Sequence, residues 1–127
     1  MGFIQYLGIR VVTGHEDGVT VECSIREEFL NTSGVLHGGA TASIADSAMG
    51  IAVSQYYGKD RSVTTAEFKI NYLSPVKEGK VVARSKIIRA GRRICVGQVE
   101  VSDATGALIA IALMTFSIKE LDLPPRN

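Results

Sequence analysis

No stretch of this 127-residue chain is long and apolar enough to span a bilayer, and no charged-then-apolar leader opens it. Met1-Gly2 could begin a myristoylation signal, but Tyr6 stands where that signal wants Ser or Thr. Excess charge is lacking as well. Fourteen Lys and Arg against 13 Asp and Glu leave a net +1, which gives no electrostatic reason to expect nucleic acid or a membrane as partner. The only two cysteines, Cys23 and Cys95, lie far apart in apolar alternating sequence. They read as free, buried thiols of a reducing compartment, and the expected location is cytoplasmic. One Asp with one nearby His is too little for a metal site. A phosphate-binding P-loop, a dinucleotide-binding glycine fingerprint, a nucleophile elbow and a Cys-x-x-Cys pair are all missing, so no cofactor is implied.

The length fits one domain, 1–127, without repeat, linker or low-complexity run. Met1 to Leu7 reads as a short helical turn anchored by Phe3, Ile4 and Leu7. Ile9 to Thr13 and Val19 to Ile25 read as strands around a turn that ends in Asp17-Gly18. A polar loop, Arg26 to His37, then leads into a long apolar helix from Gly38 to about Tyr57. After Gly58-Lys59-Asp60-Arg61 the chain is all strand: Ser62 to Leu73, Lys80 to Ala90, Ile94 to Ser102 and Ala107 to Ile118. Residues 118–127 form a loose tail. Four consecutive hairpin-linked strands rule against a parallel sheet with a helix between neighbours. An α+β architecture, an antiparallel sheet of about six strands wrapped around one central helix, satisfies both patterns.

That helix carries one ionisable side chain, Asp46, among Ala, Gly, Ile, Val, Met and small hydroxyls. Read as buried nearly all round, it would hold a carboxylate whose burial costs several kcal/mol unless the group is paired or used. Asp46 is either a structural acceptor or a general base or nucleophile on an ester or thioester carbonyl. The helix enters through His37-Gly38-Gly39. An early N–H with no helical partner, best that of Gly38, can stabilise an oxyanion; Gly39 lets a ligand approach closely. His37 would otherwise only satisfy a backbone group. Asn31 either polarises a carbonyl or closes an Asx-turn. Thr64 or Thr65 could orient water or bind Asp46, or simply fill a strand. Arg89, Arg92 and Arg93, with Lys59 and Arg61, could meet phosphates or be merely solvated. His37 and Asp46 stand about 13 Å apart along a helix at 1.5 Å per residue. One carbonyl cannot touch both within one chain, so a shared site needs two helices antiparallel across a two-fold axis.

The pattern Asn31-x5-His37-Gly38-Gly39-x6-Asp46, with Tyr72-Leu73-Ser74-Pro75 and the Gly91-Arg92 turn, resembles the hotdog-fold acyl-CoA thioesterases of the phenylacetic-acid-degradation type. The similarity runs from Leu7 to Ile118. It implies that Asp46 is the catalytic carboxylate and the Gly38 N–H the oxyanion hole, with His37 and Asn31 positioning the thioester. It implies Thr65 as the water-holding hydroxyl, with Thr64 as fallback. It also implies an acyl-CoA substrate, homodimers with shared active sites, and pairing of dimers into homotetramers. Two other readings stand beside it. A hotdog dehydratase or hydratase needs a catalytic His paired with an acid in a different motif, which is missing here. A non-catalytic acyl-CoA-binding module could dispense with Asp46.

Overall fold

The computed structural model describes residues 2–121. Helix α1 (Phe3–Leu7) ends on Gly8, whose φ of 78° lies in the left-handed region. Of the three expected anchors only Leu7 is buried, while Phe3 and Ile4 stay at the surface. Five residues make little more than one turn, and one turn offers the core one side chain. The remaining elements are β1 (Arg10–His15), β2 (Gly18–Ser24), α2 (Gly38–Tyr57), β3 (Arg61–Tyr72), β4 (Lys80–Ala90), β5 (Ile94–Asp103) and β6 (Leu108–Glu120). Each expected strand is found, displaced by no more than two residues at either end. Residues 118–120, expected in the tail, continue β6, because Ile118 still points inward and pairs with Val63. The last part of that tail, 122–127, lies outside the described residues.

The six strands form one antiparallel sheet in the order β1-β2-β4-β5-β6-β3. Of the four last strands expected to be hairpin-linked, only β4, β5 and β6 are; β3 crosses over to pair with β6, because the segment around Ser74-Pro75 carries the chain away from it rather than turning it back. Alternation puts Val81, Ala83 and Ser85 of β4, Cys95, Val99 and Val101 of β5, and Ala110, Ala112, Met114 and Phe116 of β6 on one buried face. Helix α2 crosses that face and packs against five of the six strands. Gly50, in the helix interior, costs the helix about 1 kcal/mol relative to Ala. Burying Ile44, Met49 and Val53 returns about 1.5–3 kcal/mol each, so packing decides the outcome. The seat is made by an absence: a Cβ on Gly97 would lie 2.2 Å from Met49 Sδ. Ser85, fully buried, donates to the Val19 carbonyl at 2.9 Å and accepts from the Val19 N–H at 3.0 Å, which locks β2 to β4. Both cysteines are buried and free.

The helix is not buried all round. Thr41, Ile44, Ala45, Ala48, Met49, Ala52 and Val53 face the sheet, whereas Ala42, Ser43, Asp46, Ser47 and Gly50 are only half-buried. In a single chain the sheet covers one side of α2, and the small residues of the other side leave it open. Asp46 therefore sits at the margin of the core rather than within it.

Candidate active site

Asp46 leaves the third turn of α2 on the flank that overlooks β3. There Thr65 donates its hydroxyl to Asp46 Oδ1 at 2.7 Å. Strict alternation back from Tyr72, Ile70 and Phe68 would have put Thr64 and Ala66 on the helix side. A bulge between Thr65 and Glu67 shifts the phase by one residue, so Thr65 faces α2 and Thr64 is exposed. Bulges of this kind re-aim side chains next to active sites. With Oδ1 occupied by Thr65, Oδ2 is left to address water or substrate.

The other candidate group lies at the N-terminus of α2. His37 is the N-cap, in extended conformation, and its Nδ1 accepts from the Gly39 N–H at 2.8 Å. That bond uses the Nδ1 lone pair and leaves Nε2 of the exposed ring to face outward as a donor. The His37 carbonyl accepts from Ala40 at 2.9 Å and Thr41 at 3.1 Å. The Gly38 N–H, by contrast, meets no acceptor among the described residues. It adjoins a cleft of about 340 Å³ whose walls include Val35, Leu36, Leu73, Val76 and Ile109. An unpartnered amide at the positive end of a helix, beside an apolar cleft, is suited to developing negative charge.

Asn31 closes the turn that delivers the chain to this point. Its side-chain oxygen accepts from Ser33 N–H at 2.9 Å and Val35 N–H at 3.2 Å, so that oxygen is committed to the loop. Gly34 takes the left-handed φ of 77° within the same turn, whereas neither Gly38 nor Gly39 has a positive φ. A Cβ on Gly38 would lie 3.2 Å from Cζ and Oη of Tyr72, close enough that the exposed ring would have to give by a few tenths of an ångström. The Tyr72 hydroxyl donates to the Gly38 carbonyl at 2.7 Å. Reading the sequence assigned Tyr72 no role. The available signal was a large aromatic at the end of β3, one residue short of the Ser74-Pro75 break.

Arg92 and Arg93, at the β4–β5 turn, line a second cleft of about 380 Å³ together with Ser117, Lys119 and Glu120. Lys119 was missed as a third cation because it lies 26 residues further on in the sequence. Arg89, Lys59 and Arg61 do not line this cleft, and Arg61 instead lies 3.9 Å from Glu120. Ser117 is paired with Thr64, so the basic cleft opens on the outer side of the sheet, one strand from the Asp46–Thr65 pair.

Together these features define a hotdog fold with a helix carboxylate and a helix N-terminal amide, the architecture of a thioester hydrolase. Residues 33–110 match the model of the thioesterase superfamily, and the chain belongs to that family. It is 27% identical to a 1,4-dihydroxy-2-naphthoyl-CoA hydrolase of Listeria monocytogenes, over 94% of this chain and 98% of that protein. A crystal structure of a Haemophilus influenzae thioesterase superposes with a TM-score of 0.88 at 28% identity, covering 92% of this chain and 82% of the other. A conserved Pseudomonas aeruginosa protein gives a TM-score of 0.87 at 33% identity, with 94% of each chain covered. No helix among the described residues is long and apolar enough to cross a membrane.

Proposed function

We propose that this chain hydrolyses acyl-CoA thioesters to free acid and CoA, in sites shared between two copies. The observation that carries the reading is the pairing of a Thr65-held Asp46 with an unpartnered Gly38 amide on one helix. Eight residues of helix put them about 12 Å apart, too far for one carbonyl to meet both within one chain. Strand β3, one of the sheet's two edges, is hydrogen-bonded to β6 and, among the described residues, leaves its other side open. Two copies joined antiparallel along that edge, with a two-fold axis near Phe68 and Lys69, bring Thr65 of one opposite Tyr72 of the other. Asp46 of the first then faces Gly38 of the second, and the dimer holds two such sites.

In each site the thioester oxygen points at the Gly38 N–H. Either Asp46 takes a proton from a water that attacks the carbonyl carbon, or the carboxylate attacks and water resolves the anhydride. The carbon–sulfur bond breaks, the thiolate leaves and is protonated, and no external cofactor enters the balance. A positioned base contributes about 10²–10⁴ in rate and an oxyanion donor about 10²–10³. The apolar cleft beside Gly38 takes an aryl or a medium- to long-chain acyl group. The Listeria relative's naphthoyl-CoA substrate supports the aryl branch. Arg92 and Arg93, with Lys119, supply positive charge for the CoA phosphates. Half-exposed Ile94 and Leu113 on the outer sheet face offer apolar surface for pairing dimers into a homotetramer, within the cytoplasm.

The test is CoA thiol release from a panel of aryl- and fatty-acyl-CoA esters, with wild type beside Asp46→Asn. Hydrolysis that falls at least a hundredfold in the folded variant is the expected result. Full activity in that variant removes Asp46 from the mechanism. Retained acyl-CoA binding with no hydrolysis by wild type across the panel makes the protein a binding module instead.

A further inference from the structure

We infer that Tyr72 is the positioning residue of the oxyanion amide: its hydroxyl, bonded to the Gly38 carbonyl, holds the first peptides of α2 in the orientation that aims the Gly38 N–H at substrate. This rests on the role proposed above for that amide, and extends it to a side chain outside the helix and its entry loop.

The need for such a residue follows from the sequence at the helix start. Gly38-Gly39 is the least restrained dipeptide available, with no Cβ to limit φ and ψ at either position. An amide stabilises an oxyanion well only if it is already aimed when charge develops. The peptide before the Gly38 N–H is held at its carbonyl end, where His37 O accepts from Ala40 and Thr41. The peptide after Gly38 is held from both ends: Gly39 N–H donates to His37 Nδ1 at 2.8 Å, and Tyr72 Oη donates to Gly38 O at 2.7 Å. Tyr72 is the only one of these partners supplied from outside the helix and its cap. Its ring also lies against the Gly38 Cα, where an added Cβ would meet Cζ and Oη at 3.2 Å. One side chain thus fixes the Gly38 carbonyl by a hydrogen bond and limits movement of Gly38 by contact.

A purely structural role accounts poorly for this placement. Tyr72 is 53% exposed, so its ring adds little to the core, and the Gly38 carbonyl, at the first position of the α-helix, has its helical acceptor role without it. The direct bond supplies direction. Its residue lies at the far end of β3 from Thr65, so a single strand holds both the carboxylate and, through the helix start, the amide.

The experiment compares wild type with Tyr72→Phe, which keeps the ring contact and removes the bond. The readouts are kcat and KM on the best ester of the panel, thermal midpoint, and the amide exchange rate and ¹⁵N–¹H shift of Gly38 and Gly39 in the free protein. The expected result is a kcat about fivefold to tenfold lower with KM changed less than about twofold, the loss of one neutral hydrogen bond. It comes with a midpoint close to wild type, faster Gly38 and Gly39 exchange and displaced resonances. Wild-type kcat in Tyr72→Phe overturns the inference. So does a kcat loss matched by a lowered midpoint while both glycine amides stay unchanged, because the bond then serves stability alone. If wild type hydrolyses no ester, the thioesterase reading fails on its own. The glycine amides then decide: unchanged exchange and shifts in Tyr72→Phe overturn the positioning role as well.

Discussion

Among the described residues Asp46 has one protein partner, Thr65, and that partner sets what each substitution at the site should do. Thr65→Val keeps the shape of the side chain and removes the donor on Oδ1. The carboxylate then swings freely at the margin of the core, and kcat on the best acyl-CoA ester should fall about tenfold with KM little changed, as expected for loss of orientation rather than of binding. Asp46→Asn removes the base itself and should cost about 10²–10⁴ in kcat. Parallel kinetics of the two variants separate these effects; equal losses would mean that Asp46 and Thr65 act as one unit. A second residue-scale effect lies away from the site. Tyr57 donates its hydroxyl to the Gly91 carbonyl at 2.5 Å. Burial, reinforced by the Cys95 thiol beside it, pushes its phenol from 10.0 up to about 12. The folded state therefore holds the neutral phenol more tightly than the unfolded chain does. Stability from this group is complete below pH 10 and is lost as pH rises through about 12. A near-ultraviolet alkaline titration should show one tyrosine ionising about two pH units late, and Tyr57→Phe should abolish that late step.

Elements were easier to read than the faces they present. Length, turn residues and alternation located all six strands and the long helix within two residues, because those signals are local. Residue contacts across elements were less accessible. The bulge at Ala66 has no sequence mark, and strict alternation would have chosen Thr64 over Thr65. The small residues of α2 were read as burial, yet they describe a flank that one chain leaves open. Asn31, His37, Gly38 and Asp46 nevertheless stand out as candidates in the sequence, since they fall in one contiguous segment around a helix start. Tyr72 and Lys119 were not, because only the sheet brings them near. The turn between β1 and β2 shows how demanding such long-range fits are. A Cβ on Gly18 would stand 2.0 Å from the Ser85 carbonyl oxygen, a backbone atom that cannot turn aside. Gly18→Ala should therefore force β2 from β4, strain the buried Ser85 bonds to Val19, and destabilise the fold by about 1–3 kcal/mol or more. Urea unfolding at fixed pH measures this, and a change within 0.5 kcal/mol, roughly the range of a surface substitution, would contradict it.

At the scale of the whole molecule the question is whether one chain or two make a site. The distance along α2 argues for two, and a mixing experiment can decide without any structure of the assembly. Gly38→Pro removes the amide hydrogen at the first position of the helix, where proline is tolerated; His37 is already extended at φ −61° and ψ 137°, and the added Cβ asks only a small shift of the exposed end of Tyr72. Asp46→Asn removes the carboxylate and leaves the amide. Each variant alone should be nearly inactive. If the two groups meet across a two-fold axis, a heterodimer of the variants contains one site with both defects and one with neither. Unfolding and refolding the two together in equal amounts gives about half heterodimers by random pairing, so about a quarter of wild-type activity per chain should return. If a single chain made the whole site, every site in the mixture would keep one defect and nothing would return. A value near a quarter with matched amounts, falling as either variant is put in excess, is the outcome that the composite site requires.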